Sequence, residues 1–465
     1  MLDLTNIAVL DMTHAGIVIA EGFASLGYNV KAIDVYRTVD EDVLLRLTHD
    51  HGIVTSKDPV PVDDLDLIVS PVHLDPGYPM LADARKKNIE IMDHHRAVGS
   101  ILSMMGFFEN ATVIEVTGSK AKTSTVSLLA DMLSRKMKVI LHSSRGLELW
   151  ENGRSDVVHL GLSIAPGSIL LSIAKLMELD IIADCYIFEI SLGLTGFADV
   201  GVITTLEPGY MIAASTSSSS DSKINVLSHG RSEEVFFLNL QDRKALDMAE
   251  IHNREYFTFT VLENDGSAIR DPATGDADLQ LRLEGKNIYI DHSECSFSSS
   301  LSANYNFGSY TTAFAAASSV AIRMGVPVED IITVVGSFEG LPGRMQEKEL
   351  SGRKLIDNSN SGMDIRSCER ALDYALSRPG SPGKVIMVLG EEAAQVCEGL
   401  PPENVEELVI RRCGDIGQLI LVGDRMQKIS AGNVSYASGL EQGLEMAINF
   451  SSPDDIILSC VKCFR

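Results

Sequence analysis

Basic residues are scarce in this chain. Its 39 lysines and arginines stand against 64 aspartates and glutamates, a formal charge of −25. Phosphate neutralisation needs basic surface, so generic nucleic-acid binding is excluded, and an anionic substrate would need a locally basic pocket. Long apolar runs are missing too: none reaches the roughly 20 residues that a membrane-spanning helix requires. The opening stretch MLDLTNIAVLDMTHAG has no basic segment before its apolar run, so it does not read as a secretory signal, and the expected location is the cytoplasm. The seven cysteines are odd in number and dispersed, as reduced thiols are. Cys460 and Cys463 form a C-x-x-C, but no second pair accompanies them, so they read as structural rather than metal-binding or redox-active. No G-x-G-x-x-G follows any strand signal, which weakens a dinucleotide reading.

What is present is an ordinary globular balance. Hydrophobic residues make up 45% and charged residues 22% of 465, enough to bury large cores in two to four domains. Strand and helix signals alternate along the chain. IAVLDM, NVKAIDVY, LDLIVSPV and IEIMDHH read as buried strands, and AGIVIAEGFASLG as a helix ending in Gly27, giving a small doubly wound unit with a parallel sheet. A second α/β series starts near Thr112 with TVIEV, KVILH, VVHLGL, CYIFEI and VGVITTL, followed by weaker strands in EYFTFTV and NIYID. AASTSSSSDS, from Ala213, reads as a mobile polar loop. An Ala-rich helix is expected from about Ala303 to Met324. After FEGLPGR come a short β pair around KELSGRKLID and then KVIMVLG, GQLILVG and DDIILSCVK, a third, Rossmann-like block. The fold class is therefore α/β, with domains at 1–108, 109–340 and 341–465.

The clearest chemical signal is VIEVTGSKAKTSTVSLLADML, Val113 to Leu133. An apolar strand ends at Gly118 and an amphipathic helix follows. Such a turn aims backbone N–H groups at an anion. Lys122 supplies a point charge for β and γ phosphates, and Thr123 a hydroxyl suited to Mg²⁺. Gly118, Ser119, Lys120, Ala121, Lys122, Thr123 and Ser124 are thus the candidate ATP loop. Ala121 stands where the common phosphate loop has glycine. Glu189, ending CYIFEI, could bind Mg²⁺ directly or through water, although a lone acid at a strand end is as often merely solvated.

Taken together, VTGSKAKTSTVSLLADML, FEISLGLTGFADVGVITTL, SANYNFGSYTTAFAAA and FEGLPGRMQEKELSGRKLIDNSNS resemble the Mur ligase superfamily in order and spacing. The resemblance covers residues 110 to 465 and, in outline, the N-terminal block. It implies an N-terminal substrate domain, a central P-loop ATPase domain and a C-terminal Rossmann-like domain. It also implies transfer of the γ-phosphate of ATP to a carboxylate, then capture of the acyl-phosphate by a nucleophile. On this likeness Lys122 and Thr123 meet the phosphates and metal, and Glu189 is the Mg²⁺ glutamate. Asn306 lies near adenine, Arg344 reaches the phosphates and Asp357 binds ribose. Lys223 matches a lysine that many members carbamylate to help hold a second metal, so Lys122, Glu189 and Lys223 are the candidate catalytic residues.

Two segments depart from the family pattern. TTLEPGY stands where an Asp-His is usual, and IDNSNSGMD where a DDYAHNP segment often meets the incoming amine. DMTHAG, DVYRT, SPVHLDPGYPML and DHHRAVG do not resemble a UDP-sugar site. They resemble the archaeal subgroup that makes coenzyme F(430), the nickel tetrapyrrole of methanogenesis. That likeness implies ring closure of a nickel tetrapyrrole substrate at an activated propionate, with ATP and Mg²⁺. An amide-forming Mur-type ligase for a pseudomurein- or polyglutamate-like substrate, and a nucleotide-binding module without catalysis, are the alternatives. His14, His73, His94 and His95 all fall at strand ends, where ligands bind in open α/β sheets, and are candidate substrate contacts or else capping residues. The oligomeric state stays open.

Overall fold

The computed structural model describes residues 5–13, 15–262, 276–302, 305–378, 384–392, 399–430 and 433–463. They form two compact units. One comprises Met1–Glu284, Ile288–Ser299 and Thr311–Val335, and the other Gly285–Asn287, Ser300–Tyr310 and Gly336–Arg465.

The larger unit opens with five parallel strands: β1 Asn6–Leu10, β2 Asn29–Ile33, β3 Val54–Ser56, β4 Leu67–Ser70 and β5 Glu90–Asp93. Their order is β3-β2-β1-β4-β5, so the chain reverses direction across the sheet between β1 and β4. NIAVL and LIVS are buried almost throughout, as strands covered on both faces by helices must be. The helices Glu41–His51 and Pro79–Lys87 end in left-handed caps at Gly52 and Asn88.

The second sheet has eleven strands. These are β6 Thr112–Thr117, β7 Val139–Ser143, β8 Gly146–Glu151, β9 Arg154–His159, β10 Cys185–Glu189 and β11 Val200–Ile203, then β14 Val235–Asn239, β15 Tyr256–Val261, β16 Leu279–Glu284, β17 Asn287–His292 and β18 Ser296–Ser300, with a separate two-strand ribbon, β12 Met211–Ile212 and β13 Ser217–Ser218, lying between β11 and β14 in the chain. β6 sits between β10 and β11, all three parallel. The helix Lys122–Ser134 that follows β6 is not amphipathic as expected. Eleven of its thirteen residues are buried, because it packs against the Ala-rich helix Thr311–Arg323 as well as against the sheet. Small residues on both helices permit that approach. The Ala-rich helix begins at Thr311 rather than near residue 303, which lies outside the described residues. A 3₁₀ turn, Phe307–Tyr310, precedes it.

The serine-rich stretch is ordered, contrary to the expected loop. Ser217 and Ser218 pair in the ribbon, Ser218 caps the helix Ser219–Ile224, and Ser219 and Ser220 are buried. Their hydroxyls serve as backbone partners: Tyr210 N–H donates to Ser219 Oγ at 3.1 Å, and Ser220 Oγ donates to the Leu206 carbonyl at 3.1 Å. Polarity there signals local bonding rather than solvation.

One apolar cluster joins the first two sheets. It runs from Ile7, Val9 and Phe23 through Val98 and Ile101 to Val113, Ile140, Tyr186 and Phe188. Phe108, at the expected first boundary, packs edge-on against Tyr186 and Phe188.

The smaller unit carries a six-stranded sheet: β19 Gln346–Leu350, β20 Arg353–Asp357, β21 Val385–Glu391, β22 Gln418–Val422, β23 Val434–Ala437 and β24 Ile456–Lys462, in the order β19-β20-β24-β21-β22-β23. β19 and β20 form the expected antiparallel pair. Cys460 and Cys463 are buried and unbridged in and just after β24, as structural thiols are.

Candidate active site

The loop after β6 is bound down on all sides. Ser119 N–H donates to the Thr205 carbonyl at 2.7 Å, Ser119 Oγ to the Leu206 carbonyl at 2.7 Å, and Lys120 N–H to Thr205 Oγ1 at 3.0 Å. Thr204 Oγ1 donates to the Lys120 carbonyl at 2.6 Å. Gly118 has φ +148° and a β-carbon there would lie 2.0 Å from Thr204 Oγ1, so only glycine fits. Ala121 answers the question its position raises: it takes the left-handed conformation itself, φ 67°. An alanine held there costs roughly 1–2 kcal/mol relative to its relaxed backbone. Lys122, Thr123 and Ser124 then form the first helical turn, whose N–H groups have no intrahelical acceptor, an arrangement suited to an anion. Lys122 Nζ arches back onto the Gly118 carbonyl at 2.8 Å, which places its charge over the loop.

Glu189 closes the site from β10. It is buried; Thr123 Oγ1 donates to its Oε1 at 2.7 Å and Ser144 N–H to its Oε2 at 3.0 Å. Ser144 sits in the two-residue turn between β7 and β8, and Thr123 Oγ1 lies 3.3 Å from its hydroxyl. His142 nearby is buried, and burial pushes its pKa down to about 4. Hydroxyl and carboxylate oxygens at this spacing are the hard ligands that Mg²⁺ takes.

Sequence reasoning missed Ser144, Arg145 and the two threonines. Arg145 Nε and Nη2 both donate to Glu148 Oε1, at 3.1 and 2.6 Å, and Trp150 Nε1 donates to Glu148 Oε2 at 2.9 Å. This fixes a guanidinium one residue from the Ser144 N–H that holds Glu189. The signal was available in SSRG, a hairpin turn between alternating strands.

Lys223 lies on the helix Ser219–Ile224, buried, its Nζ 3.2 Å from the Ser219 carbonyl and 5.7 Å from the Tyr210 ring centre. Asp242 accepts from Leu206 N–H at 3.0 Å, and burial raises its pKa to about 6. A cavity of about 430 Å³ opens beside the TTLEPGY segment, between Leu206, Tyr210, Ser220, Asp242 and Lys244. Lys122 and Glu189 do not line it, so this cavity is not the phosphate cradle.

Below the loop, Glu115 on β6 is fully buried and accepts Thr195 N–H at 2.7 Å and Thr195 Oγ1 at 2.5 Å. Burial pushes its pKa up to about 7, and burial together with Glu115 raises that of Glu234.

Asn306, Arg344 and Asp357 gather in the smaller unit. Asn306 N–H donates to the Met345 carbonyl at 3.1 Å, and Tyr310 Oη to the Arg344 carbonyl at 2.5 Å. Asp357 is buried, with Gly343 N–H 3.2 Å and Lys348 Nζ 3.1 Å from Oδ2. Gly343 has φ +71°, and a β-carbon there would lie 1.9 Å from the Ser359 carbonyl oxygen. The variant segment after Asp357 is spent on local fastening: Asn360 Nδ2 donates to the Gly343 carbonyl at 2.7 Å, and Ser359 and Ser459 share a hydroxyl pair at 2.5 Å.

The histidines divide. His14 lies outside the described residues. His94 and His95 are buried, with Nε2 of His94 3.0 Å from the Leu10 carbonyl and Nε2 of His95 2.8 Å from the Ser191 carbonyl. Both rings therefore hold backbone. His73 is a third exposed, with Nε2 3.6 Å from Asp11 Oδ2.

The chain is similar to several known proteins. The family described as Coenzyme F430 synthetase CfbE, C-terminal domain, matches residues 347–463. Coenzyme F(430) synthetase of Methanosarcina acetivorans is 47% identical, over 99% of both chains. The protein of that name from Methanocaldococcus jannaschii is 25% identical over 89% of this chain and 91% of its own. Among solved structures, MurF ligase from Thermotoga maritima in complex with ADP superposes with a TM-score of 0.55 at 15% identity, covering 93% of this chain and 91% of its own. That likeness shows a Mur ligase fold.

Proposed function

The chain belongs to the coenzyme F(430) synthetase family, and from that premise we propose that it is an ATP-dependent cyclo-ligase. It phosphorylates a propionate carboxylate of a nickel-containing seco tetrapyrrole and closes a carbocyclic ring, releasing ADP and phosphate. The observation that carries this reading is the Thr123–Glu189–Ser144 cluster seated against the Lys122 loop. The residues divide the work. The N–H groups of Lys122, Thr123 and Ser124 and the Lys122 ammonium take the phosphates. Thr123 and Glu189 would hold Mg²⁺, which neutralises phosphate charge when bound. In the smaller unit Asn306, Asp357 and Arg344 serve adenine, ribose and phosphate. The division into domains at 1–108, 109–340 and 341–465 belongs to the same reading, as does a cytoplasmic location.

The nucleophile is a carbon of the substrate's own macrocycle. The acyl carbon is tethered to the ring that attacks it, and well-oriented tethered reactions reach effective molarities on the order of 10⁵ M or more. Absence of an incoming amine fits the segment after Asp357, whose side chains are spent on the Gly343 loop. Lys223 is proposed to be carbamylated, because it is buried and matches the lysine that many Mur ligases carbamylate to help hold a second metal. Carbon-13 bicarbonate labelling followed by NMR, with Lys223→Arg as control, tests that modification.

Purified protein is incubated with the seco precursor, ATP and Mg²⁺ and followed by mass spectrometry. The expected product is lighter than the precursor by one water, with one ADP and one phosphate per turnover. AMP and pyrophosphate, or a product bearing amino-acid mass, would refute it.

A further inference from the structure

The turn between β7 and β8 consists of Ser144 and Arg145, closed by the pairing of Ser143 with Gly146. Its backbone is fixed without the Arg145 side chain. Arg145 N–H donates to Ser143 Oγ at 3.2 Å, and Ser144 N–H donates to Glu189 Oε2 at 3.0 Å. Gly146 lies so close to β9 that a β-carbon there would stand 2.5 Å from the His159 carbonyl oxygen. The guanidinium is held nevertheless. Its Nε and Nη2 both donate to Glu148 Oε1, at 3.1 and 2.6 Å, and Trp150 Nε1 donates to the other oxygen of that carboxylate. Glu148 is 1% exposed, whereas the Arg145 side chain is 26% exposed.

The strand sets the direction of this pair. Leu147 packs in the apolar cluster shared with the first sheet, and side chains alternate along a strand, so Glu148 and the guanidinium bonded to it stand on the opposite face. The helix Lys122–Ser134 lies against β7 and β8 and contributes nothing to that cluster, so it covers the same opposite face. β7 runs parallel to β10, and the turn therefore sits at the carboxyl edge of the sheet, where Glu189 ends its strand. Arg145 thus shares one face and one edge with Lys122 and Thr123. The Nε side of its fork is spent on Glu148. The end-on side, Nη1 with the second hydrogen of Nη2, bonds nothing among the described residues and is the side that Glu148 does not cover.

Resting on the ligase reading above, we propose that Arg145 binds the substrate carboxylate that is to be phosphorylated. That step brings two anions together, in a chain whose formal charge is −25, and each needs fixed positive charge beside it. Lys122, on the Gly118 carbonyl at 2.8 Å, belongs to the loop and serves the phosphates. Arg145 stands on the other side of Thr123 and Glu189, in the β7–β8 turn. An arginine fork meets a carboxylate with paired N–H groups and is charged at every working pH, and a buried acid on its other edge keeps it oriented. A carboxylate oxygen attacks the γ-phosphorus. The bond from that phosphorus to the oxygen bridging it to ADP breaks, and ADP leaves with the electron pair. Arg145 takes no proton; it offsets the charge of the carboxylate as the two anions approach.

A comparison of acid with amide tests this. Wild type, Arg145→Lys and the double variant Arg145→Gln/Glu148→Gln, which leaves no buried charge unpaired, are titrated calorimetrically with the seco precursor and with a precursor whose reacting propionate is a primary amide. Mg-ADP is titrated in parallel, and thermal unfolding checks the fold. Wild type is expected to bind the acid about 10–100-fold more tightly than the amide, the range of hydrogen bonds to a charged group. The double variant is expected to bind the two alike while its affinity for Mg-ADP stays within about twofold of wild type. Arg145→Lys keeps a cation beside Glu148 and so preserves the fold, and its preference for the acid is expected to drop about threefold or more, because an ammonium lacks the fork. Equal binding of acid and amide by wild type would overturn the assignment, as would an undiminished preference for the acid in either variant. Loss of Mg-ADP affinity as large as the loss of precursor affinity would overturn it too, by putting Arg145 on the nucleotide. If wild type binds neither form and consumes no ATP with the precursor, the ligase reading fails and this one with it.

Discussion

At the carboxyl edge of the second sheet, the loop proposed to take phosphate is a backbone structure. Ser119 and Lys120 are pinned by Thr204, Thr205 and Leu206, and the N–H groups proposed to take the anion stand at a helix start. At the same edge of the first sheet, Asp11, His73, His94 and His95 come from three separate strand ends, Asp11 facing His73 and the other two rings holding distant carbonyls through their side chains. A backbone cradle demands contiguous residues and leaves a motif in the sequence. A side-chain constellation needs only the right residue at each strand end and leaves none.

The largest expected effect lies at the cradle. On the proposed reading Lys122→Ala should abolish turnover with folding intact, because a charge at the point of phosphoryl transfer contributes about 3 kcal/mol or more to lowering the barrier. Near-normal product formation with unchanged thermal unfolding would break the assignment.

A stability effect of similar ceiling lies beneath it, at Glu115. Its folded pKa, about 7, exceeds the ordinary 4.5. A raised carboxyl pKa favours the protonated folded state. That contribution is complete below pH 4.5 and is lost as pH rises through 7, up to about 3 kcal/mol in all. Thermal denaturation of wild type should show falling stability between pH 5 and 8, and Glu115→Gln should flatten the slope. An identical slope in both proteins would remove Glu115 as its source.

Next comes the tie between the edges. His95→Ala removes the ring that holds Ser191 and should cost about 1–3 kcal/mol of stability, since a part-buried carbonyl loses its partner. Chemical denaturation measures it, and a change under about 0.5 kcal/mol would show that the two edges stand independently. The smallest effect is at the loop itself. Ala121→Gly relieves the left-handed backbone but frees the unfolded chain, so the net gain should be no more than about 1 kcal/mol, with activity kept. A destabilised or inactive Ala121→Gly would mean that the methyl group has a packing role.

What could be read in advance follows the same division. The β-branched runs of β6, β10, β21 and β24 announced the parallel strands, and Gly118 to Ser124 announced the turn between β6 and its helix. The short β3 and the edge strands β18 and β23 went unread, because three to five residues half-covered by neighbours carry little periodicity. The serine-rich stretch misled because hydroxyls that bond buried carbonyls have the same composition as hydroxyls that face water. SSRG marks the β7–β8 turn in the sequence, but the partner of the Ser144 N–H, a carboxylate 45 residues away, shows only in the fold. His94 and His95 lay at strand ends as a ligand contact would, and only coordinates show their nitrogens on carbonyls.

The apolar cluster running from Ile7 through Phe108 to Phe188 has a bearing on how the chain comes into being. On a ribosome, residues 1–108 emerge well before β10 supplies Tyr186 and Phe188. Phe108 must wait without Tyr186 and Phe188, so the core of the first block is completed from downstream. A nascent chain stalled near residue 110 would be a client for chaperones, whereas one released past β11 could close that core. Expression of the first block alone should therefore yield aggregate, and co-expression of the remainder should not rescue it unless the two pieces meet before either collapses.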